Sequence, residues 1–252
     1  MDQLAYQLKS IRLSGMAAAL PIRLQEAKAN DMPHLDLLSL LVNDELDKRK
    51  DRLLKKRIKD ARLPELKTMD DFDFSFNPAI QKKTILDLAG CRFVHKAESI
   101  LILGPPGVGK THLAIAIGVC CIHAGYTVLY RSVFDLVEDM AEAQALNTRR
   151  SLISNLCKPN ILIIDEFGMR NLPSNASEDL LEIFHRRYHK GSTVIATNRP
   201  LEDWGKVLGD HAAASAILDR FLDNAHLIKI TGRSYRLKKI KKNEIDKEQK
   251  IE

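Results

Sequence analysis

The residues Gly104-Pro105-Pro106-Gly107-Val108-Gly109-Lys110-Thr111 follow the pattern G-x-x-x-x-G-K-T. Glycines at these positions permit a tight turn and let backbone N–H groups approach phosphate oxygens. A lysine after the last glycine reaches the β- and γ-phosphates of a nucleotide, and the hydroxyl after it is placed to ligate Mg2+. This stretch, with His112 beside it, is the candidate ATP site. Lys110 would also serve the chemistry and Thr111 the metal. SILIL (residues 99–103) reads as a strand leading into the loop, and THLAIAIGVCCIHAG (111–125) as a helix leading out of it. The amino end of that helix would add its free N–H groups and its dipole to the anion site.

The second half of a nucleotide site is an acid at the end of another buried strand. Ile161-Leu162-Ile163-Ile164 ends in Asp165-Glu166. There Asp165 would hold Mg2+, and Glu166 would orient or deprotonate the attacking water. The second carboxylate favours ATP hydrolysis over binding alone, because it is needed at the water and not at the metal. Without a nucleotide, the same acids would cap a helix. A third run, Ser192–Thr197, ends in Asn198-Arg199-Pro200. Asn198 either contacts the γ-phosphate or the attacking water, or serves a turn. Arg220 lies on an Ala-rich helical stretch and either faces solvent or reaches the nucleotide of a neighbouring subunit.

These side chains need a sheet to hold them. Short apolar runs at 99–103, 127–131, 160–165, 192–197 and 226–231 alternate with helical stretches near 110–124, 133–146, 176–190 and 212–223. Strands that are apolar without alternation are covered on both faces, which predicts a parallel sheet between helical layers. The expected fold class is α/β: a three-layer αβα P-loop NTPase core with a five-stranded parallel sheet, preceded by a small all-helical domain. The expected divisions are a helical N-terminal DNA- or partner-binding domain over 1–63, a linker packed on the core over 64–98, the ATPase domain over 99–240 and a disordered basic tail over 241–252. Leu4, Leu8, Ile11 and then Leu37, Leu38, Leu41, Leu46 recur near the helical period, and 36–62 reads as one long amphipathic helix. Pro21, Pro33 and Pro64 are expected at helix boundaries or in first turns.

An apolar fraction of 45% excludes a wholly disordered chain, and 6% aromatics are too few for a base-stacking platform. Cys91, Cys120, Cys121 and Cys157 show neither CxxC pairing nor zinc spacing and read as reduced thiols of a cytoplasmic protein. The start, MDQLAYQLKS, lacks a signal-peptide pattern, and the longest apolar run, Leu113–Ile122, is too short to span a bilayer. A cytoplasmic protein without a membrane partner is expected. The net charge of +6 is uneven: residues 1–98 carry 18 Lys/Arg against 15 Asp/Glu, 99–230 carry 13 against 14, and 231–252 carry 8 against 4. Basic ends on a neutral body suit an anionic partner, or are solvated surface. The densest cluster is Lys48, Arg49, Lys50, Arg52, Lys55, Lys56, Arg57 and Lys59.

These motifs together resemble the DnaC/IstB group of AAA+ ATPases, and within it the IstB-type ATP-binding proteins, transposition helpers of two-gene insertion sequences. The resemblance spans nearly the whole chain. LKSIRLSGMAAAL and LLVNDELDKRK are similar to the helical start of that family. GPPGVGKTHLAIAIG resembles its Walker A region, where His112 is typical, and LIIDEFG resembles its Walker B. ATNRPLEDW resembles its sensor-I region, and AILDRF with GRSYRLK its C-terminal signature. The Walker motifs alone specify a P-loop ATPase; the GKTH, LDR and GRSYR set is more specific.

The resemblance implies Walker B on the third strand, Asn198 as sensor I and Arg220 as an arginine finger acting in trans. It also implies ATP-dependent self-assembly on duplex DNA and stimulation of an IstA-like transposase in DNA recombination. The basic run at 48–59 would then contact DNA phosphates without reading bases; alternatively, part of it lines a contact with the transposase or a sister subunit. Too few residues follow the fifth strand for the usual helical lid, which leaves Arg233 or Arg236 as the sensor-II candidate. A DnaC-like helicase loader, acting in DNA replication, is the alternative with the same core. A small-molecule P-loop kinase lacks its Arg-rich lid here, and a binding protein without turnover leaves Glu166 idle.

Overall fold

The computed structural model describes residues 2–169, 172 and 174–236, and the chain forms two compact units, Met1–Arg57 and Ile58–Glu252. The tail expected over 241–252 lies outside the described residues.

The first unit holds α1 (Asp2–Ser10), α2 (Ser14–Ala29) and most of α3 (His34–Asp60). No side chain of its own caps the amino end of α2. Glu45 of α3 does so: its carboxylate accepts the backbone N–H groups of Gly15 (2.5 Å) and Met16 (3.1 Å). Gly15 permits this approach, because a Cβ there would lie 2.7 Å from the Glu45 Cα. Arg49 pairs with the same carboxylate at 2.8 Å, which leaves Glu45 satisfied although only 4% exposed. Pro21 corrects one expectation: it lies inside α2, at no boundary. Proline in a helix interior removes a backbone bond. Here Arg23, two residues on, holds the second half of α2 in line by donating to both carboxylate oxygens of Asp44 (2.8 and 2.9 Å). Of the leucines and isoleucine that mark the helical period, only Leu41 is fully buried, as a unit this small has little interior to offer.

In the second unit α4 (Lys82–Ala89) and α5 (Arg92–His95) precede β1 (Ser99–Leu103) and α6 (Lys110–His123). Then come β2 (Val128–Ser132), α7 (Val133–Ala145), α8 (Arg149–Cys157), β3 (Ile161–Phe167) and α9 (Ser174–Arg187). β4 (Ser192–Thr197), α10 (Trp204–Leu208), α11 (His211–Leu222) and β5 (Ala225–Lys229) complete it. The strands form one five-stranded parallel sheet in the order β2-β3-β4-β1-β5. Every residue of β4 is buried, as is Ile161–Ile164 of β3, because helices cover both faces. The edge strand β5 is mostly exposed. This is the expected αβα core.

Four short helices, α4, α5, α8 and α10, were not expected within or beside it. The 64–98 stretch contains α4 and α5. The carboxyl end of α8 is fastened by Arg187, which is 2% exposed and donates to the carbonyls of Leu156, Cys157 and Pro159. α10 is held by Trp204, fully buried with its ring 4.4 Å from that of Phe167. No helix among the described residues is long and apolar enough to cross a membrane.

Candidate active site

β1 delivers the chain to the phosphate loop at its carboxyl end, and α6 begins at Lys110 directly after it. Gly107 (φ +79°) and Gly109 (φ +102°) take left-handed conformations that favour glycine. No side chain caps α6 at Gly109, so the N–H groups of its first turn remain available to an anion. Lys110 Nζ donates to the Pro105 carbonyl at 2.9 Å. Burial pushes its ammonium below the usual lysine range; the charge of Asp165 opposes that shift and Arg236 adds to it.

Loop and helix form one side of a cavity of about 470 Å³, lined by Gly107, Val108, Gly109, Lys110, Thr111 and His112. Gly104, Pro105 and Pro106 lie outside this lining: Pro105 supplies its carbonyl to Lys110, and Gly104 packs against Ile230. His112 Nε2 donates to the Thr68 carbonyl (2.9 Å), and its ring meets Phe72 edge-on at 5.1 Å. Apart from Arg236, a sensor-II candidate, the other walls come from residues that sequence reasoning did not place at the site. Phe72 and Phe76 come from the alternating-Phe stretch, and Tyr235 and Arg236 from beyond β5. Tyr235 donates its backbone N–H to the Gly107 carbonyl (2.9 Å), and Asn77 Nδ2 donates to the Thr231 carbonyl (2.6 Å), so both segments are tied to the loop region. Arg233 is exposed.

At the carboxyl end of β3, Asp165 is 2% exposed. Its Oδ2 accepts the Tyr130 hydroxyl (2.9 Å) and its Oδ1 accepts the Glu166 N–H (2.8 Å). Glu166 is exposed, with φ +57°, at a bulge where the pairing with β4 shifts between Ile164 and Phe167. An extra residue of this kind re-aims a side chain out of the strand alternation. Burial raises the Glu166 carboxyl above the usual range; Asp165 and Asp135 raise it further, and Arg236 works against them. Tyr130 was missed. Its one signal in the sequence is an aromatic hydroxyl directly after the apolar pair Val128-Leu129 of β2.

Asn198 follows β4. Its Nδ2 lies 3.1 Å from Met169 Sδ, and its Oδ1 is buried with no hydrogen-bond partner among the described residues. Arg220 stands apart. Its guanidinium donates to the Ala216 carbonyl of its own helix (3.0 Å) and lines a small cleft with Ser99 and Thr193. Those two residues sit at or next to the amino ends of β1 and β4, so Arg220 is at the opposite edge of the sheet from the phosphate loop.

Thr111 and Asp165 offer a hydroxyl and a carboxylate, hard oxygen donors of the kind Mg2+ takes. No group of three or more His, Cys, Asp or Glu among the described residues could hold a metal by itself. Mg2+ in nucleotide sites usually takes one or two protein oxygens and completes its shell with phosphate oxygens and water.

The basic run occupies the second half of α3. Arg49 is paired with Glu45, Lys50 lies 3.4 Å from Asp47, and Arg52 donates to Ser14 Oγ. Lys48, Lys55, Lys56 and Lys59 are exposed and Arg57 half-buried, without ion pairs among the described residues. At 3.6 residues per turn, Lys48, Arg52, Lys55 and Lys56 fall within an arc of roughly 100°.

A family profile described as IstB-like ATP binding protein matches residues 6–243. The chain belongs to this family. An insertion sequence IS21 ATP-binding protein from Pseudomonas aeruginosa is 37% identical over 244 residues, covering 96% of this chain and 91% of the relative. The IS232 counterpart from Bacillus thuringiensis subsp. berliner is 34% identical, covering 94% and 95%. Among solved structures, AMPPCP-bound DnaA from Aquifex aeolicus aligns with a TM-score of 0.57 at 21% identity, over 72% of this chain and 55% of DnaA. DnaI aligns with a TM-score of 0.57 at 20% identity, over 66% of this chain and 91% of DnaI. At these identities the likeness is one of fold, and it is the AAA+ fold that the IstB-like sequence resembles.

Proposed function

We propose that this IstB-like chain is a cytoplasmic, Mg2+-dependent ATPase that assembles on duplex DNA and stimulates the transposase of its insertion sequence. The observation that carries the reading is one juxtaposition. A glycine loop with an uncapped helix end and Lys110 borders a cavity of about 470 Å³, and Asp165 is near enough to act on the Lys110 charge. ATP would place its phosphates on the loop, where their charge favours the ammonium form of Lys110 that burial disfavours. Thr111 and Asp165 would hold Mg2+, which offsets negative charge on the β- and γ-phosphates. Glu166, with a carboxyl already shifted toward neutrality, suits taking a proton from the attacking water. The unpartnered Oδ1 of Asn198 is an acceptor suited to orienting that water. The exposed lysines of α3 would contact DNA phosphates, and Arg220 would serve the site of a neighbouring subunit.

The test is ATP hydrolysis by the full chain with duplex or single-stranded DNA of equal length, with and without the transposase. Mg2+-dependent release of ADP, stimulated by duplex, with more strand transfer when the transposase is added, is expected. Absence of hydrolysis under all conditions overturns the ATPase reading. A preference for single strands would favour a helicase loader.

A further inference from the structure

Tyr130 is fixed at both ends. Its backbone N–H donates to the Ala61 carbonyl at 2.8 Å on the outer edge of β2, and its hydroxyl donates to Asp165 Oδ2 at 2.9 Å. Tyr130 pairs in register with Ile163, so its ring reaches forward along the sheet toward the acid. The residue is 7% exposed and Asp165 is 2% exposed, so the bond is largely shielded from bulk solvent. The other oxygen of Asp165 is taken by the Glu166 N–H. A carboxylate oxygen has two lone pairs, and each oxygen here commits one to a protein donor and keeps one. With both oxygens tied, the carboxylate cannot turn, and the direction of its remaining lone pairs is set.

We propose that Tyr130 is a positioning residue for Mg2+: it holds Asp165 so that the remaining lone pairs face the metal and its bound water. The proposal rests on the reading of Asp165 and Thr111 as the residues that hold Mg2+. An ionised carboxylate only accepts, so the Tyr130 hydroxyl is the donor in this bond. Groups that bond to metal-ligating side chains commonly alter metal affinity by about 10–100-fold when removed. A purely structural tyrosine would lower stability and leave the Mg2+ dependence alone.

The experiment is a titration of the full chain with a fluorescent ATP analogue, in chelator and across a Mg2+ series. Tyr130→Phe keeps the ring and removes only the hydroxyl. Its affinity in chelator is expected within about twofold of wild type, while the Mg2+ concentration giving half of the metal-dependent gain rises about 10-fold or more. An unchanged Mg2+ midpoint in Tyr130→Phe overturns the proposal. Incorporating 3-fluorotyrosine at position 130 keeps the hydroxyl as a donor, so the midpoint is expected to stay within about twofold of wild type. A midpoint raised about 10-fold or more in that protein, with the donor still present, overturns the proposal even if the Phe variant does not fold. If wild-type binding shows no Mg2+ effect at all, the metal reading of the site falls and the proposal with it. If wild type shows the effect and Tyr130→Phe retains it unaltered, only the proposal falls.

Discussion

Glu166 donates its backbone N–H to Oδ1 of Asp165 at 2.8 Å, yet the two side chains occupy opposite environments. Asp165 is 2% exposed, whereas Glu166 is exposed, turned out by the bulge and a left-handed φ of +57°. A non-glycine residue in that region carries strain of about 1–3 kcal/mol, which persists only where the surroundings fix it. Here the bulge separates two adjacent acids so that one is buried and held by two hydrogen bonds and the other is turned out into an exposed position.

The separation gives the first prediction. Glu166→Gln is expected to bind ATP with wild-type affinity and to slow hydrolysis by about 10²–10⁴-fold, the usual worth of a general base. The folded carboxyl is raised, so wild-type hydrolysis should fall as pH drops through a value above the ordinary glutamate value of about 4.3. A pH–rate profile at saturating ATP checks both. Wild-type rates in Glu166→Gln would remove the residue from the chemistry.

The phosphate loop and the Asp165-Glu166 pair were legible because each depends on a few consecutive residues. Glycine spacing dictates the turn, and an apolar strand ending in acids dictates where they emerge. The strand Ser192–Thr197 was read with its observed bounds for the same local reason. Tyr130 was not legible, since its bond to Asp165 depends on the register between β2 and β3. Phe72, Phe76 and Tyr235 reach the cavity from segments far apart in sequence, and only the folded chain brings them together. Pro21 misled because its local signal is a helix break, while Arg23 and Asp44 supply a tertiary anchor that propensity does not register.

Glu45 makes the second prediction. Glu45→Gln removes the charge that accepts two backbone N–H groups and pairs with Arg49, and is expected to destabilise the first unit by about 1–3 kcal/mol. Burial works to raise this carboxyl, but Arg49, Met16 and Gly15 outweigh it, and the folded value is lowered. A lowered folded value means that the stabilisation is complete above the unfolded value and is lost as pH falls through the folded one. The gap in urea midpoint between wild type and variant, followed by helical circular dichroism, should therefore be full at neutral pH and narrow below about pH 4. A gap that stays constant down to acid pH would assign the effect to packing instead.

The exposed lysines of α3 give the third. Each phosphate neutralised contributes about −0.9 to the slope of log affinity against log salt, so changing Lys48, Lys55 and Lys56 to Gln should flatten the slope by up to about 2.7. The change should be alike for all duplex sequences. Arg49→Gln and Lys50→Gln should flatten it less, because those side chains are already paired with Glu45 and Asp47. Binding measured by fluorescence anisotropy across a salt series decides this. An unaltered slope in the triple variant would make the stripe a solvated helix face.

The last prediction concerns Arg220. Its place beside Ser99 and Thr193, at the far edge of the sheet from Lys110, removes it from its own chain's phosphate loop. A role in hydrolysis therefore requires a second subunit. A guanidinium keeps its charge and can contact two phosphate oxygens at once, which suits the charge that develops during phosphoryl transfer. Arg220→Ala is expected to bind ATP as wild type does when dilute, yet to hydrolyse it about 10³-fold or more slowly. Mixing it with Lys110→Ala protein is the decisive measurement, since neither variant should hydrolyse ATP alone. A mixed assembly can set the intact Arg220 of one subunit against the intact phosphate loop of the next, so activity should return and peak at intermediate ratios. If both variants enter the same DNA-bound assembly and no ratio restores hydrolysis, Arg220 does not act in trans. Its bond to the Ala216 carbonyl would then be its role, and Arg220→Lys and Arg220→Ala should differ in thermal stability alone.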